Sequence, residues 1–280
     1  ISYKKIAEET TTTINDITLD SRTADNKKIF TAIKGFQTDG HNFIDNAFSA
    51  GCRNFLVEDT TKISPQVCNT SNIAQVQQIR SVFGKLAREI NDCPDKNLKV
   101  FGITGTKGKT TVSTLLHHLL SYQQNTALFT TVRFLTPQTS NDSEKTTMEA
   151  DKLQHYLHQT TAGNWKQAVV EVSSHAVTLS RVEDIKWDCG IFTSFSRDHL
   201  DLYGTMEAYF QAKLDFFRAL NVSDKKNKIA VVNIDDAKGF DVCDVIDKKT
   251  VKLFTVSMKD SNADYFIAEN KYTDCGTELC

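Results

Sequence analysis

The chain has 280 residues, with 33 Lys and Arg residues against 35 Asp and Glu residues and a net charge of −2. At about 100–200 residues per domain, this length predicts about two domains. Hydrophobic residues make up 40% and charged residues 24% of the sequence, which is typical of a globular protein and excludes the disordered and fibrous classes. The balanced charge gives no support to a nucleic-acid binder that works through phosphate contacts, although it allows a local basic site for a small phosphorylated ligand.

The sequence shows no targeting or membrane segment. No stretch approaches the roughly 18 uncharged apolar residues that a membrane helix needs. The first residues lack the apolar run of a secretory signal. The seven cysteines are spread along the chain without a C-x-x-C pair, which is typical of reduced thiols rather than of a disulfide framework or a zinc site. We therefore expect a cytoplasmic protein with no membrane insertion and no nucleic-acid partner. We also expect a monomer, although this expectation does not follow from these features.

The first 90 residues or so alternate short apolar runs with turns, and a polar, Pro-containing stretch at 91–97 predicts a linker. The apolar patterns before it predict strands at 14–19, 28–33 and 54–57, and helices at 42–50 and 73–89. We expect a first domain over residues 1–93.

After the linker the pattern changes to an alternation of strands and helices. It predicts strands at 100–104, 168–172, 189–194, 229–234 and 251–256, helices at 110–122 and 206–220, and a surface loop at 136–145. This rhythm predicts a mostly parallel sheet covered by helices, in a second domain over residues 94–280. The expected fold class is α/β throughout.

The strongest motif is the run Phe-Gly-Ile-Thr-Gly-Thr-Lys-Gly-Lys-Thr-Thr at 101–111, which follows an apolar strand and opens a helix. That context is typical of a phosphate loop, in which Gly105 and Gly108 let backbone N–H groups approach phosphates at a helix N-terminus. Lys109 would reach the β- and γ-phosphates, and Thr110 would hold Mg²⁺. Ile103 stands where the strict G-x-x-x-x-G-K-[ST] pattern has its first glycine. The alternative is a glycine-rich turn with an incidental lysine.

The predicted helix at 206–220 carries a lysine on its apolar face. Phe210, Leu214, Phe217 and Leu220 share one face at about 100° per residue, and Lys213 falls inside that arc. Burial of an ammonium lowers its pKa and makes the neutral amine reactive, for example toward CO₂, which would give a metal-binding carbamate. The alternative, which the pattern alone favours, is a lysine that extends its charged end to solvent from the edge of the stripe.

Two further acid and histidine positions follow apolar strands. Ligand sites in open α/β sheets lie beyond the carboxyl ends of strands. His199, in the run 193–201, could bind Mg²⁺ or orient phosphate, and Glu171, at the end of another strand, is a candidate second Mg²⁺ ligand. The alternatives are a solvated loop for His199 and an ordinary strand-end acid for Glu171. His117 and His118, in mid-helix, are interpreted as structural.

Taken together, these runs resemble the Mur ligase family, and most closely its tripeptide synthetases. The resemblance covers essentially the whole chain. The matching runs are 19–22, 29–35, 38–44, the phosphate loop, 146–147, 171–175 with 181–182, 192–213 and 233–237.

The resemblance implies an assignment of site residues. The first domain would hold the UDP end of the substrate through Leu19, Ser21, Phe36, Gln37 and Thr38. The residues implied for the muramoyl-dipeptide are Thr146, Thr147, Ser173 and Arg181, and those implied for ATP are Gly105, Thr106, Lys107, Gly108, Lys109, Thr110 and Thr111. The residues implied for Mg²⁺ are Thr110, Glu171, His199 and an N6-carboxylated Lys213. The implied catalytic residues are Lys109, Glu171, His199 and Lys213.

The resemblance also implies an activity in peptidoglycan precursor synthesis. The γ-phosphoryl group of ATP would pass to a carboxylate of UDP-MurNAc-L-Ala-D-Glu, and the amine of L-lysine or meso-diaminopimelate would then displace phosphate. A carboxylate needs such activation, and the transfer depends on charge neutralisation more than on a side-chain nucleophile. The alternatives are a non-catalytic binding or scaffold protein of the same fold, and a ligase for another carboxylate, of the folate or cyanophycin type.

The sequence departs from the family pattern in three places. Thr147-Met148-Glu149 stands where Thr-Thr-Pro-Glu is common, and Asn26-Lys27 replaces Pro-Gly. The sequence stops at Cys280, inside what resembles the late central domain, and the family's third domain is absent from it. We therefore expect a fragment, or a part of a longer protein.

Overall fold

The computed structural model describes residues 3–7, 13–35, 38–143, 145–273 and 276–279. Phe36 and Gln37, two of the predicted UDP-binding residues, lie outside the described residues. The chain divides into two compact units, and neither is continuous in sequence. The first unit contains Ile1–Pro94, Glu149–His158 and Ser180–Asp184, and the second contains Asp95–Met148, Gln159–Leu179 and Ile185–Cys280. The predicted boundary between residues 93 and 94 assigns the segments 149–158 and 180–184 to the second domain, whereas in the structure they group with the first unit.

The first unit is built on a five-stranded sheet in the order β1-β5-β4-β3-β2, in which β1 is antiparallel and the other strands are parallel. The strands are β1 Tyr3–Ala7, β2 Asp16–Thr18, β3 Lys28–Ala32, β4 Asn54–Val57 and β5 Asn72–Val76; the helices are α1 Ile44–Ser49, α2 Pro65–Thr70 and α3 Ile79–Ile90. Phe30 of β3 and Phe55 of β4 are buried and meet edge to face, so aromatic side chains of neighbouring strands fill the core.

The predicted helix at 73–89 was wrong in its first part, because residues 72–76 form β5. This strand pairs with β4 on one side and with β1 on the other. Helix α3 begins only at Ile79, after Gln78 has taken a left-handed conformation with φ of 54°. The apolar spacing of this segment also fits a helix, and it is the backbone pairing with two neighbouring strands that makes the segment a strand.

The second unit is built on a nine-stranded sheet in the order β14-β13-β12-β11-β6-β10-β7-β8-β9. The strands are β6 Lys99–Thr104, β7 Thr126–Phe129, β8 Arg133–Leu135, β9 Ser140–Asp142, β10 Gln167–Glu171, β11 Cys189–Phe192, β12 Lys228–Asn233, β13 Val251–Ser257 and β14 Tyr265–Phe266, and a separate antiparallel pair is β15 Asn270–Thr273 with β16 Gly276–Leu279. All pairings are parallel except those of β8 and β9.

Helices cover this sheet. They are α4 Lys109–Ser121, α5 Ala150–Ala162, α6 Ser174–Thr178, α7 Leu200–Tyr203, α8 Met206–Val222 and α9 Lys238–Val245; α5 begins in the segment that groups with the first unit. The predicted α/β class, with a largely parallel sheet in each unit, is confirmed. The predicted loop at 136–145 contains the short strand β9, whose three residues are all exposed and so lack an apolar signal.

The order of the strands places β6 between β10 and β11. The connection from β6 runs to β7 on one side, and the later connection from β10 crosses to β11 on the other side of β6, so the direction of the strand order reverses there. Such a reversal opens a crevice at the carboxyl ends of the strands, where ligands bind in open α/β sheets. The predicted phosphate loop follows β6, and Glu171 ends β10.

Two further findings concern the chain as a whole. Within the described residues, no helix combines the length and apolar character needed to cross a membrane. Within the part of the chain that the structure describes, the cysteines at positions 52, 68, 93, 189 and 243 form no disulfide. Burial raises the pKa of Cys189 to about 12, which keeps this thiol protonated and unreactive.

Candidate active site

The loop between β6 and α4 has the backbone that a phosphate cradle needs. Gly105 has a φ of 151° and Gly108 a φ of 83°, values that residues with a Cβ rarely adopt. A Cβ at Gly105 would also overlap the hydroxyl of Thr193, which follows β11. Glycine is therefore required at this position for both its conformation and its space.

The residues that follow β11 hold this loop from the side. The Thr106 N–H donates to the Ser194 carbonyl at 2.7 Å, and the Lys107 N–H donates to the Ser194 hydroxyl at 3.1 Å. The Thr193 hydroxyl in turn donates to the Lys107 carbonyl at 2.6 Å. Strand β11 therefore fixes the loop that β6 carries, and Lys107 keeps its side chain exposed.

Two lysine ammonium groups donate to carbonyls of this loop. The Lys109 Nζ lies 2.9 Å from the Thr106 carbonyl oxygen, and the Lys213 Nζ lies 2.8 Å from the Gly105 carbonyl oxygen. Burial lowers the pKa of Lys109, against the charges of Glu171 and Asp198. Burial, with the Lys109 charge second, lowers the pKa of Lys213 to about 7. Lys213 is 1% exposed, so the interpretation of a lysine reaching solvent is wrong.

Thr110 and Glu171 meet directly. The Thr110 hydroxyl donates to the Glu171 Oε2 at 2.9 Å, and Glu171 is only 2% exposed. Thr131 also donates to this carboxylate, from its N–H and its hydroxyl, each at 3.0 Å. Thr131 was missed in the sequence because the strand before it, β7, was not recognised. The strand-end rule applied to β7 would have found it.

His199 has a left-handed backbone conformation with φ of 51°. Its ring lies 4.7 Å from the ring of His175 and 5.6 Å from that of Tyr209, measured between centroids. The Lys213 Nζ lies 4.5 Å from the same Tyr209 ring. The structure therefore brings His199 and Lys213 together around one aromatic side chain.

The residues predicted to hold the muramoyl-dipeptide are divided between the two units. In the second unit, the Thr147 hydroxyl donates to the Glu171 carbonyl at 2.8 Å, and the Ser173 N–H donates to the Thr147 Oγ1 at 3.1 Å. Ser173 also caps helix α6, with its Oγ accepting from the Ala176 N–H. Thr146 precedes this group and is half-buried, and Thr111 is exposed on α4.

Arg181 lies in the first unit, where Glu149 holds its guanidinium through two contacts. The Nε donates to Oε2 at 3.0 Å, and Nη2 lies 2.7 Å from Oε1. This two-point geometry fixes the orientation of the guanidinium. Glu149 belongs to the run that departs from the family pattern. Because Glu149 and Arg181 still form an ion pair, the departure at Met148 does not remove this contact.

The described UDP-site candidates also lie in the first unit. Leu19 and Ser21 directly follow β2, with Leu19 half-buried against an apolar cluster and Ser21 buried. The Thr38 carbonyl accepts from the Gly35 N–H at 2.8 Å.

A cavity of about 360 Å³ lies in the same unit. It is lined by Ile33, Lys34, Glu58, Gln78, Ile79, Arg80, Ser81, Ser180 and Glu183. The cation Arg80 lines this cavity, and burial lowers its pKa. The sequence pattern gave no signal for Arg80.

No group of three or more His, Cys, Asp or Glu side chains among the described residues could hold a metal ion. The predicted Mg²⁺ set does not need one, because it combines Glu171 and His199 with a threonine hydroxyl and a modified lysine. The direct contact of Thr110 with Glu171 fits such a donor set.

Two models of known protein families match this chain. The model of the Mur ligase middle domain matches residues 103–280, and the model of the Mur ligase family catalytic domain matches residues 13–92. The chain belongs to the Mur ligase family.

Similar relatives carry two different substrate names. The UDP-N-acetylmuramoyl-L-alanyl-D-glutamate–2,6-diaminopimelate ligase of Phocaeicola vulgatus is 34% identical over 85% of this chain and 48% of its own length. The corresponding L-lysine ligase of Staphylococcus aureus is 33% identical over the same shares. The chain therefore spans about half the length of these curated relatives.

Solved structures of the family share the fold. A 2,6-diaminopimelate ligase of the same name superimposes with a TM-score of 0.76 at 27% identity, over 95% of this chain and 53% of that protein. The MurF ligase of Thermotoga maritima, solved in complex with ADP, gives a TM-score of 0.60 at 22% identity, over 95% of this chain and 55% of that one. At that identity the second likeness shows the Mur ligase fold alone.

Proposed function

We propose that this chain is the nucleotide-sugar-binding and ATP-binding part of an ATP-dependent ligase that adds an amino acid to UDP-MurNAc-L-Ala-D-Glu. The observation that carries the proposal is the contact between Thr110, at the end of the phosphate loop, and the buried Glu171 of the neighbouring strand. The names of the two relatives supply the substrate class. Since they add different amino acids at nearly equal identity, both L-lysine and diaminopimelate are candidates.

ATP fits the loop for electrostatic reasons. The loop presents backbone N–H groups at the N-terminus of α4, where the helix dipole favours phosphate. The first turn of α4 contains no acidic residue that would oppose an anion. Lys109 now donates to a loop carbonyl, and a phosphate oxygen is a stronger partner for its ammonium.

Mg²⁺ would be held by Thr110, Glu171, His199 and carboxylated Lys213. It would supply positive charge beside the transferring phosphoryl group. Carboxylation fits Lys213 because its lowered pKa leaves much of the amine neutral near pH 8, and a neutral amine is the form that takes up CO₂. The product is an anion in place of a buried cation.

The reaction then needs two steps. An oxygen of the substrate carboxylate bonds to the γ-phosphorus while the bond to ADP breaks, which gives an acyl phosphate. The amine nitrogen bonds to the acyl carbon, inorganic phosphate leaves and the amine loses a proton. Within this chain, Lys109 stabilises the charge on the transferring group, and Thr147, Ser173 and Arg181 orient the substrate.

The test is phosphate release from ATP with Mg²⁺, UDP-MurNAc-L-Ala-D-Glu, and L-lysine, meso-diaminopimelate or no amino acid. We expect release that requires the nucleotide sugar and one of the amino acids. Lys109→Gln and Lys213→Ala should each lower turnover roughly 100-fold or more, since each removes charge stabilisation at the reacting phosphate. Lys99→Gln, an exposed lysine at the start of β6, is the matched control and should leave turnover unchanged.

Release that is independent of the nucleotide sugar would contradict this substrate assignment. Binding of both nucleotides without any release would favour the non-catalytic alternative for the chain. Full activity in Lys213→Ala would contradict the carbamate.

A further inference from the structure

Tyr209 lies one helical turn before Lys213 on α8 and is 1% exposed. A tyrosine hydroxyl buried this deeply is costly unless it is hydrogen-bonded. Its oxygen lies 3.1 Å from the Oγ1 of Thr106, in the phosphate loop. The polar end of the side chain is therefore directed at the candidate site.

The ring of Tyr209 contacts the candidate metal ligands. The Lys213 Nζ lies 4.5 Å from the ring centroid, within the range of a cation–π interaction. The His199 ring lies 5.6 Å away and the Phe195 ring 5.1 Å away, so residues that follow β11 pack on the same side chain.

Thr106 is the residue of the phosphate loop to which the Tyr209 hydroxyl is hydrogen-bonded. Its Oγ1 accepts from the Ser196 N–H at 3.0 Å, and its N–H donates to the Ser194 carbonyl. Its carbonyl accepts from the Lys109 Nζ. A shift of Thr106 would therefore move the carbonyl oxygen that accepts the hydrogen bond of the Lys109 ammonium.

A phenylalanine at position 209 would fill the same space and pack against the same rings. The hydroxyl adds the hydrogen bond with Thr106. We propose that Tyr209 is a positioning residue, whose hydroxyl sets the phosphate loop and whose ring sets Lys213 and His199 relative to it. This inference rests on the proposed function, because it assumes that the loop binds a nucleotide.

The test is Tyr209→Phe in the full chain, with two readouts. Hydrogen exchange of the backbone amides at 105–109, without nucleotide, should accelerate severalfold because the loop loses an anchor. The Kd for Mg·ADP should rise about 5- to 10-fold, the effect of one hydrogen bond. Tyr203→Phe is the matched control, since that hydroxyl bonds Thr178 at 2.9 Å and its ring packs on Tyr209. The control should change neither value.

A purely structural role would lower the melting temperature of Tyr209→Phe and leave the exchange rate and the Kd at their wild-type values, which would overturn the inference. A wild-type chain that does not bind Mg·ADP would contradict the proposed function, and the exchange rates would still decide the anchoring role. If Tyr209→Phe does not fold, Thr106→Val removes the same bond together with the bond from the Ser196 N–H, and it should accelerate exchange by at least the same severalfold factor. Wild-type exchange in Thr106→Val would overturn the inference.

Discussion

Lys213 shows how a residue-scale prediction from periodicity can be tested by burial. The apolar arc of α8 placed an ammonium on the inner face, and the structure leaves it 1% exposed. The alternative of a solvent-reaching lysine failed because all neighbouring positions of the arc are buried too, so no route to water exists along the helix. The partners of Lys213 could not be predicted, because Gly105 and Tyr209 reach it only through tertiary packing.

Asp151 has an environment that makes the stability of the first unit depend on pH. Its Oδ1 has no hydrogen-bond partner among the described residues. Burial, with a smaller contribution from Glu149, raises the pKa of its carboxyl to about 6 from 3.8. The folded state therefore binds the Asp151 proton more tightly than the unfolded state, and stability falls as pH rises from about 4 to about 6.

We predict that Asp151→Asn stabilises the chain by about 1–3 kcal/mol at pH 7.5, because the amide resembles the neutral carboxyl that the site prefers. The gain should shrink as pH falls and disappear near pH 3, where the carboxyl is protonated in both the folded and the unfolded state. Urea unfolding midpoints at the two pH values measure the difference. The exposed Asp142, changed to Asn, is the control and should show little gain at either pH. A gain of equal size at both pH values would contradict the assignment.

At the scale of elements, the parallel strands of the central sheet were predictable because they are short, continuous apolar runs. β6, β10, β12 and β13 lie within one or two residues of their predicted bounds. β5 was not predictable, since its apolar spacing fits both a helix and a strand. Only its pairing with two partner strands makes the segment a strand. α5 was missed because much of its surface is polar and its buried positions serve packing that the local sequence does not reveal.

The close contact of α8 with the sheet leads to a second prediction. A Cβ at Gly102 of β6 would lie 2.6 Å from the Phe216 ring of α8 and 2.9 Å from the Trp187 ring. Both rings are fully buried. Gly102→Ala should therefore destabilise the chain by about 1–3 kcal/mol, the typical effect of overpacking.

Gly190, on the neighbouring strand β11, provides the matched comparison. A Cβ there would lie 3.1 Å from its nearest neighbours, a distance that small shifts relieve. Gly190→Ala should cost clearly less than Gly102→Ala in thermal or urea unfolding. Equal losses would show that the helix can move away from the sheet.

At the scale of the whole molecule, the candidate binding residues are distributed over both units. Leu19, Ser21 and Arg181 belong to the first unit, and the phosphate loop with Glu171 and Lys213 belongs to the second. This division was only partly predictable. The order of motifs indicated two domains, but the segments 149–158 and 180–184 join the first unit from within the later sequence.

We predict that each nucleotide protects its own unit from hydrogen exchange. A ligand stabilises the state to which it binds, so UDP should slow exchange at residues 16–42, and Mg·ADP should slow exchange at residues 99–113. Hydrogen exchange with each nucleotide alone, compared with the free chain, measures this. AMP, which lacks the β-phosphate, is the control for Mg·ADP and should protect residues 99–113 less. Protection of residues 99–113 by UDP at the same concentration would contradict the division.

The central position of β6 also has a consequence for the way the protein is made. This strand is the first of the nine to be synthesised, yet its neighbours in the finished sheet come much later. The contacts of the loop that follows it span 61 residues to Glu171, 90 to Ser196 and 108 to Lys213. A chain emerging from the ribosome therefore holds this loop without its complete set of supports until α8 has been translated. Long-range pairings of this kind make folding slow and expose unpaired strand edges meanwhile.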